Sequence, residues 1–299
     1  MNLELFFVKL SLVQNYEQQS AESFPKIEPQ EIIVAEKPTP NNPPWNSWLA
    51  FLVWLASIAF ILILPNLFVV PYILKQGIDL SDQAVLAEFV QSDATAVLLS
   101  VLAVIPAHIL TLALAWVVIT KFNKFSFRKA LGWRSGGFNV WAYFLILGGF
   151  FILASIVSYY FPEQDNDLLK ILRSSRTAVY IVAFLATFTA PLVEEVVYRG
   201  VLYSALQRSF RIPYAVLLVT FLFALVHVPQ YYPSYSTIFL ICLLSLILTL
   251  VRVRTKNLLP CIILHTIFNG VQSLFLILQP YLNLEDASKQ AASIIYFLK

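Results

Sequence analysis

Phe184-Leu-Ala-Thr-Phe-Thr-Ala-Pro-Leu-Val-Glu-Glu-Val-Val-Tyr-Arg199 is an apolar run of the kind that crosses a bilayer, yet it holds two adjacent carboxylates and an arginine. A charge at bilayer depth costs roughly 2.5–3.5 kcal/mol on insertion scales. Glu194, Glu195 and Arg199 therefore need a compensating arrangement. Positions four apart share a helix face, so Glu195 reaches Arg199 and the two neutralise each other. Glu194 points about 100° away and lacks that partner. Four residues beyond it is Tyr198, whose hydroxyl is placed to bond it. The two glutamates thus divide the work: Glu195 is structural and Glu194 reactive.

The rest of the chain agrees with a membrane setting. Of 299 residues 59% are hydrophobic and 12% charged, with a mean hydropathy of +0.75. A soluble domain is nearer one quarter charged. The fold class is therefore all-α, a polytopic membrane protein. Cys242 and Cys261 fall in apolar surroundings and read as packing residues. Met1 to Leu12 shows no small-residue cleavage site, and no cleaved leader is expected.

A spanning helix takes about 20 mostly apolar residues. Seven segments meet that length approximately, at 47–74, 94–120, 138–161, 178–206, 213–230, 236–251 and 258–279, with the fifth and sixth short. Residues 1–46 read as a flexible tail, polar and punctuated by proline, with a short interfacial helix near residues 3–10. Residues 47–299 form one membrane domain, and Ala291 to Leu298 lies at the interface. Lys121, Lys124, Arg128, Lys129 and Arg134 fall in the second inter-segment loop, Arg208 and Arg211 in the fourth, and Arg252, Arg254 and Lys256 in the sixth. The intervening loops are acidic, mixed or uncharged, as in Tyr231-Tyr-Pro-Ser-Tyr235. Positive loops face the cytoplasm, which puts the N-terminus there and suits a bacterial plasma membrane, with the internal membranes of a photosynthetic cell equally open.

Two further polar elements occur in apolar segments. In Phe223-Ala-Leu-Val-His227, Phe223 lies one turn before His227 and packs under its ring. In His265-Thr-Ile-Phe-Asn269, two polar residues share a face. Singly, each is ordinary interhelical hydrogen bonding. Together, polar clusters on three segments are tolerated most easily when they face one another. Glu194 and His227 then hold and activate a water, while His265 and Asn269 donate to the oxyanion of a peptide bond. A second arrangement uses Glu194, His227 and His265 as ligands of a zinc ion with water in the open position. Both stay open on the sequence. At about 1.5 Å per residue, Glu194 lies roughly 20 Å from Arg208 and His227 roughly 24 Å from Arg211, but His265 only about 13 Å from Lys256. Tilt and breaks near Pro191 and Pro260 must absorb that mismatch. His108, in the second segment, reads as structural.

The three elements resemble the signature of the CPBP family, which includes CAAX-type prenyl endopeptidases, bacteriocin-processing enzymes and Abi-like immunity proteins. The signature appears as Glu194-Glu195…Arg199, Phe223…His227 and His265…Asn269, in a motif core of about 177–280. The resemblance implies a multi-helix intramembrane endopeptidase. In it Glu194 and His227 activate water, and His265 and Asn269 form the oxyanion hole. Glu195, Arg199, Tyr198 and Phe223 are supporting residues. Zinc is a possible cofactor. The expected partners are a membrane-embedded or lipidated peptide and the lipid bilayer, with no nucleic acid. Serine chemistry is disfavoured because no Gly-x-Ser-Gly lies in a span, and aspartyl chemistry because no Asp lies inside one. The competing readings are a non-catalytic scaffold or immunity-like protein, and a proton-coupled transporter, the latter opposed by the lack of an internal repeat.

Overall fold

In the computed structural model, residues 38–282 are described. The interfacial helix near residues 3–10, the stretch 291–298 and most of the expected tail lie outside them. Among the described residues the elements are helical. They are α1 (Ser47–Lys75), α2 (Gln83–Ser92), α3 (Ala94–Thr120), α4 (Phe127–Leu131), α5 (Val140–Tyr160), α6 (Asp167–Ser174), α7 (Arg176–Ser209), α8 (Ile212–Tyr231), α9 (Tyr235–Thr255) and α10 (Leu259–Leu282). Seven of these, α1, α3, α5 and α7 to α10, are long and apolar enough to cross a membrane. This is an integral, multi-pass, all-α membrane protein. The fifth and sixth spans are fuller than the sequence suggests, at 20 and 21 residues.

The starts of the helices follow from local chemistry. Asn46, Asp82, Asp93, Asn139, Asn166 and Ser175 each accept a hydrogen bond from a first-turn backbone N–H, satisfying donors that a helix start leaves open. Helix α3 is interrupted at Ala103, three residues ahead of Pro106, whose missing N–H removes one backbone bond. Between helices, lipid gives no hydrophobic drive to associate, so contacts rely on small residues and buried hydrogen bonds. Ala50, Ala107, Ala115 and Ala215 are wholly buried at such contacts. The main core joins α1, α3, α7 and α8 around Trp54, Val197, Val201 and Phe223. A second core joins α5, α9 and α10, with Phe150 edge-on to Phe268 at 4.7 Å between ring centroids. Helix α5 is otherwise peripheral and turns Trp141, Leu145 and Ile152 outward.

The end of the predicted tail is pinned. Trp45 is buried and its Nε1 donates to Val201 O at 3.0 Å. Buried Arg252 donates to Pro40 O at 2.6 Å, to Asn41 Oδ1 at 3.1 Å and to Ser204 Oγ at 3.1 Å, while Arg208 donates to Pro43 O at 2.8 Å. Composition marks residues 38–46 as loop, but their carbonyls are what two arginines at the helix ends need.

The depth mismatch also has a physical answer. Arg252 is wholly buried, so the cationic run Arg252 to Lys256 does not mark where α9 and α10 meet the surface. Leu258 is fully buried there, and its N–H donates to Leu131 O at 3.2 Å and Gly132 O at 2.9 Å. Helix α7 is not a plain α-helix: Leu185–Thr189 and Val196–Leu202 are π-helical, on either side of the turn Ala190–Glu195. The wider i→i+5 register changes how far each residue advances.

Candidate active site

Glu195 lies at the centre of a buried ionic cluster. Its Oε1 accepts from Arg199 NH1 at 2.9 Å and from His265 Nδ1 at 2.9 Å, and Glu195 and Arg199 are both wholly buried. The four-residue spacing thus gives the expected pair. Arg199 has further partners. Its Nε donates to Thr249 Oγ1 at 3.2 Å, and NH2 donates to Ser245 O at 2.9 Å and Ser245 Oγ at 2.8 Å. Its guanidinium lies 4.7 Å from the centre of the Phe223 ring, a cation–π contact worth most where water is excluded. Ser245 and Thr249 were missed in the sequence. Their signal is two small hydroxyls four apart in an apolar helix.

Glu194 projects differently, with its side chain 25% exposed, and its Oε2 lies 3.8 Å from His265 Nε2. His265 therefore bridges the two carboxylates, with Nδ1 held by Glu195 and Nε2 turned to Glu194. The second histidine is oriented in the same way. His227 Nδ1 lies 2.7 Å from Phe223 O, which can only accept, so this nitrogen carries the proton and Nε2 is left as the reactive atom. The His227 ring stacks on Phe223 with 4.7 Å between centroids, and His265 approaches the same Phe223 ring at 6.2 Å. Phe223 is the common floor of both imidazoles and of Arg199.

One expected contact differs, and one residue has a partner that the sequence does not show. Tyr198 makes no hydrogen bond to Glu194; its hydroxyl accepts from Trp54 Nε1 at 3.1 Å, because the π register after Glu195 carries it towards α1. Asn269 shares a helix with His265, but its Nδ2 donates to Ala186 O at 2.8 Å. The reason lies in α7. Ala190 N–H bonds Leu185 O in the π register, so the next donor, to Ala186 O, would be the N–H of residue 191. Pro191 has none, and the Asn269 amide takes that place. His108, read as structural, lies 2.9 Å through Nδ1 from Thr189 Oγ1 at the end of the first π segment.

The donor types Glu194, His227 and His265 suit zinc, and the anchored Nδ1 atoms are the second-shell bonds that metal-binding histidines use. Their spacing does not suit it. Among the described residues, no three His, Cys, Asp or Glu side chains gather closely enough to hold one ion.

Residues 176–271 match the family described as type II CAAX prenyl endopeptidase Rce1-like. The chain carries an Rce1-like segment, consistent with the CPBP family. The matched region spans α7 to α10 and contains all three polar elements. It supports protease activity of the CAAX type for this membrane protein and a membrane-associated peptide as its substrate. Comparisons with curated proteins and with solved structures gave no match.

Proposed function

We propose that this Rce1-like chain is an intramembrane endopeptidase in which Glu194 is the general base. The observation that carries this reading is the contrast between the two adjacent glutamates. Glu195 is wholly buried and bonded to Arg199 and His265, while Glu194 is partly exposed with His265 Nε2 beside it. A carboxylate locked between two donors is a scaffold. The one left open is the reagent.

In this mechanism a water sits between Glu194 and His227 Nε2, two acceptors that orient its lone pair towards a substrate carbonyl. As the water oxygen attacks, Glu194 takes its proton and the carbonyl π electrons move onto oxygen. His265, with Nδ1–H held by Glu195, carries a second proton on Nε2 and donates to that oxyanion. With this proton the four charged groups Glu194, Glu195, Arg199 and His265 sum to zero, which offsets the cost of burying them. The tetrahedral intermediate then collapses, the C–N bond electrons go to nitrogen, and Glu194 returns its proton to the leaving amine. Asn269 braces the π segment ahead of Glu194 through Ala186 and holds α10 against it.

The basic loops support an N-terminus in the cytoplasm. The substrate is then a lipidated or membrane-embedded peptide, entering sideways from the bilayer or from the cytoplasmic face. The test is cleavage of a library of membrane-proximal peptides by detergent-purified protein, with zinc content read on the same sample. Glu194→Gln should abolish cleavage. Equal cleavage by the wild type and this variant would overturn the assignment. One zinc per active chain would add a metal to the mechanism.

A further inference from the structure

Tyr231 belongs to the uncharged Tyr231–Tyr235 loop on a reading of the sequence, but the structure makes it the last residue of α8. It stands four residues beyond His227 and therefore on the same helix face. Its ring lies 6.4 Å from the His227 ring with 29° between the planes. Phe223, His227 and Tyr231 thus form a ladder along α8, and its first rung, Phe223, approaches the His265 ring at 6.2 Å.

The Tyr231 hydroxyl makes no hydrogen bond to any described residue. Tyr198, on the helix of Glu194 itself, instead accepts from Trp54 Nε1 through its hydroxyl oxygen. Tyr231 is half-buried. A phenol O–H in apolar surroundings normally finds a partner. One left open on the helix face of His227 is a donor waiting for a ligand. Of the two groups that the motif supplies for the oxyanion, Asn269 spends one amide N–H on Ala186 O, and His265 turns Nε2 to Glu194, so the donor set is small and a further O–H adds to it.

We propose that Tyr231 is a further catalytic residue, whose hydroxyl donates a hydrogen bond to the oxyanion formed when water adds to the scissile carbonyl. This rests on the endopeptidase reading. The phenol keeps its proton throughout. Glu194 receives the proton of the attacking water and later delivers it to the amine, so Tyr231 stabilises charge without entering the proton count. Its bond strengthens as the carbonyl oxygen gains charge, so it acts on kcat more than on KM.

The test compares Tyr231→Phe and Tyr231→Leu with the wild type and with Tyr214→Phe, an exposed tyrosine at the other end of α8. Because the hydroxyl has no partner among the described residues, Tyr231→Phe breaks no hydrogen bond there and keeps the ring ladder. Loss of one oxyanion donor costs about 10²–10³-fold in kcat. That loss is expected for both Tyr231 variants, with KM and melting temperature of Tyr231→Phe near wild type and Tyr214→Phe unaffected. Tyr231→Phe at wild-type rate, with only Tyr231→Leu slowed, would make Tyr231 a packing residue and overturn the proposal. A wild type that cleaves nothing would instead remove the endopeptidase reading, and this proposal with it.

Discussion

The Glu195–Arg199 pair should behave as one unit, and its size can be worked from the contacts. Arg199→Met keeps the length of the side chain but removes every donor of the guanidinium. Glu195 is then a buried carboxylate with His265 Nδ1 as its remaining partner. Stranding one member of a buried pair costs about 3–5 kcal/mol. Glu195→Gln strands Arg199 in the same way, at a similar cost. Adding the two gives about 6–10 kcal/mol. The double variant, however, leaves no uncompensated charge, and the glutamine oxygen still accepts from His265. Its cost reduces to lost hydrogen bonds at Ser245 and Thr249, about 1–3 kcal/mol. The double variant should therefore be more stable than either single one, with a coupling energy of at least about 3 kcal/mol. The assay is equilibrium unfolding in mixed micelles titrated with dodecyl sulfate, followed by circular dichroism. A double variant as unstable as the sum of the singles, or an Arg199→Met loss below about 1 kcal/mol, would refute the reasoning.

The other predictions concern the backbone around the site. Asn269→Ala orphans Ala186 O and should cost about 1–3 kcal/mol in the same unfolding assay. Adding Pro191→Ala, which restores an N–H at position 191, should recover about 1 kcal/mol; no recovery would mean that the amide does not replace the proline's missing donor. Gly136 has φ +60°, and a Cβ there would lie 2.5 Å from Thr255 O, whereas Gly137 at φ +79° has open space around it. Both alanine variants carry backbone strain of order 1–3 kcal/mol, so Gly136→Ala should unfold at distinctly lower denaturant than Gly137→Ala.

The seven spans were legible because each is a long apolar run closed by turn residues, and a helix in lipid must satisfy its own backbone. The Glu195–Arg199 pair and the seat of Phe223 under His227 were legible because both are four-residue contacts within one helix. What was hidden depends on register or on distant partners. The two π segments of α7 carry no periodic signal, yet they turn Tyr198 to Trp54 and leave Ala186 O for Asn269. The clasp of Ser245 and Thr249 on Arg199 crosses from α9 to α7. His265 bonding Glu195 joins α10 to α7 between residues 70 apart in the chain. Residues 38–46 look like linker by composition, and their role as acceptors for Arg208 and Arg252 becomes visible only when the helix ends meet them.

The central claim is that Glu194 is the reagent and not part of the scaffold. The most direct measurement is cleavage and binding of one substrate peptide by folded Glu194→Gln protein, beside the wild type. The account predicts an unchanged melting temperature and retained peptide binding, with cleavage lost by at least about 10³-fold. A Glu194→Gln protein that cleaves at the wild-type rate, or that loses cleavage only because it unfolds, would contradict it.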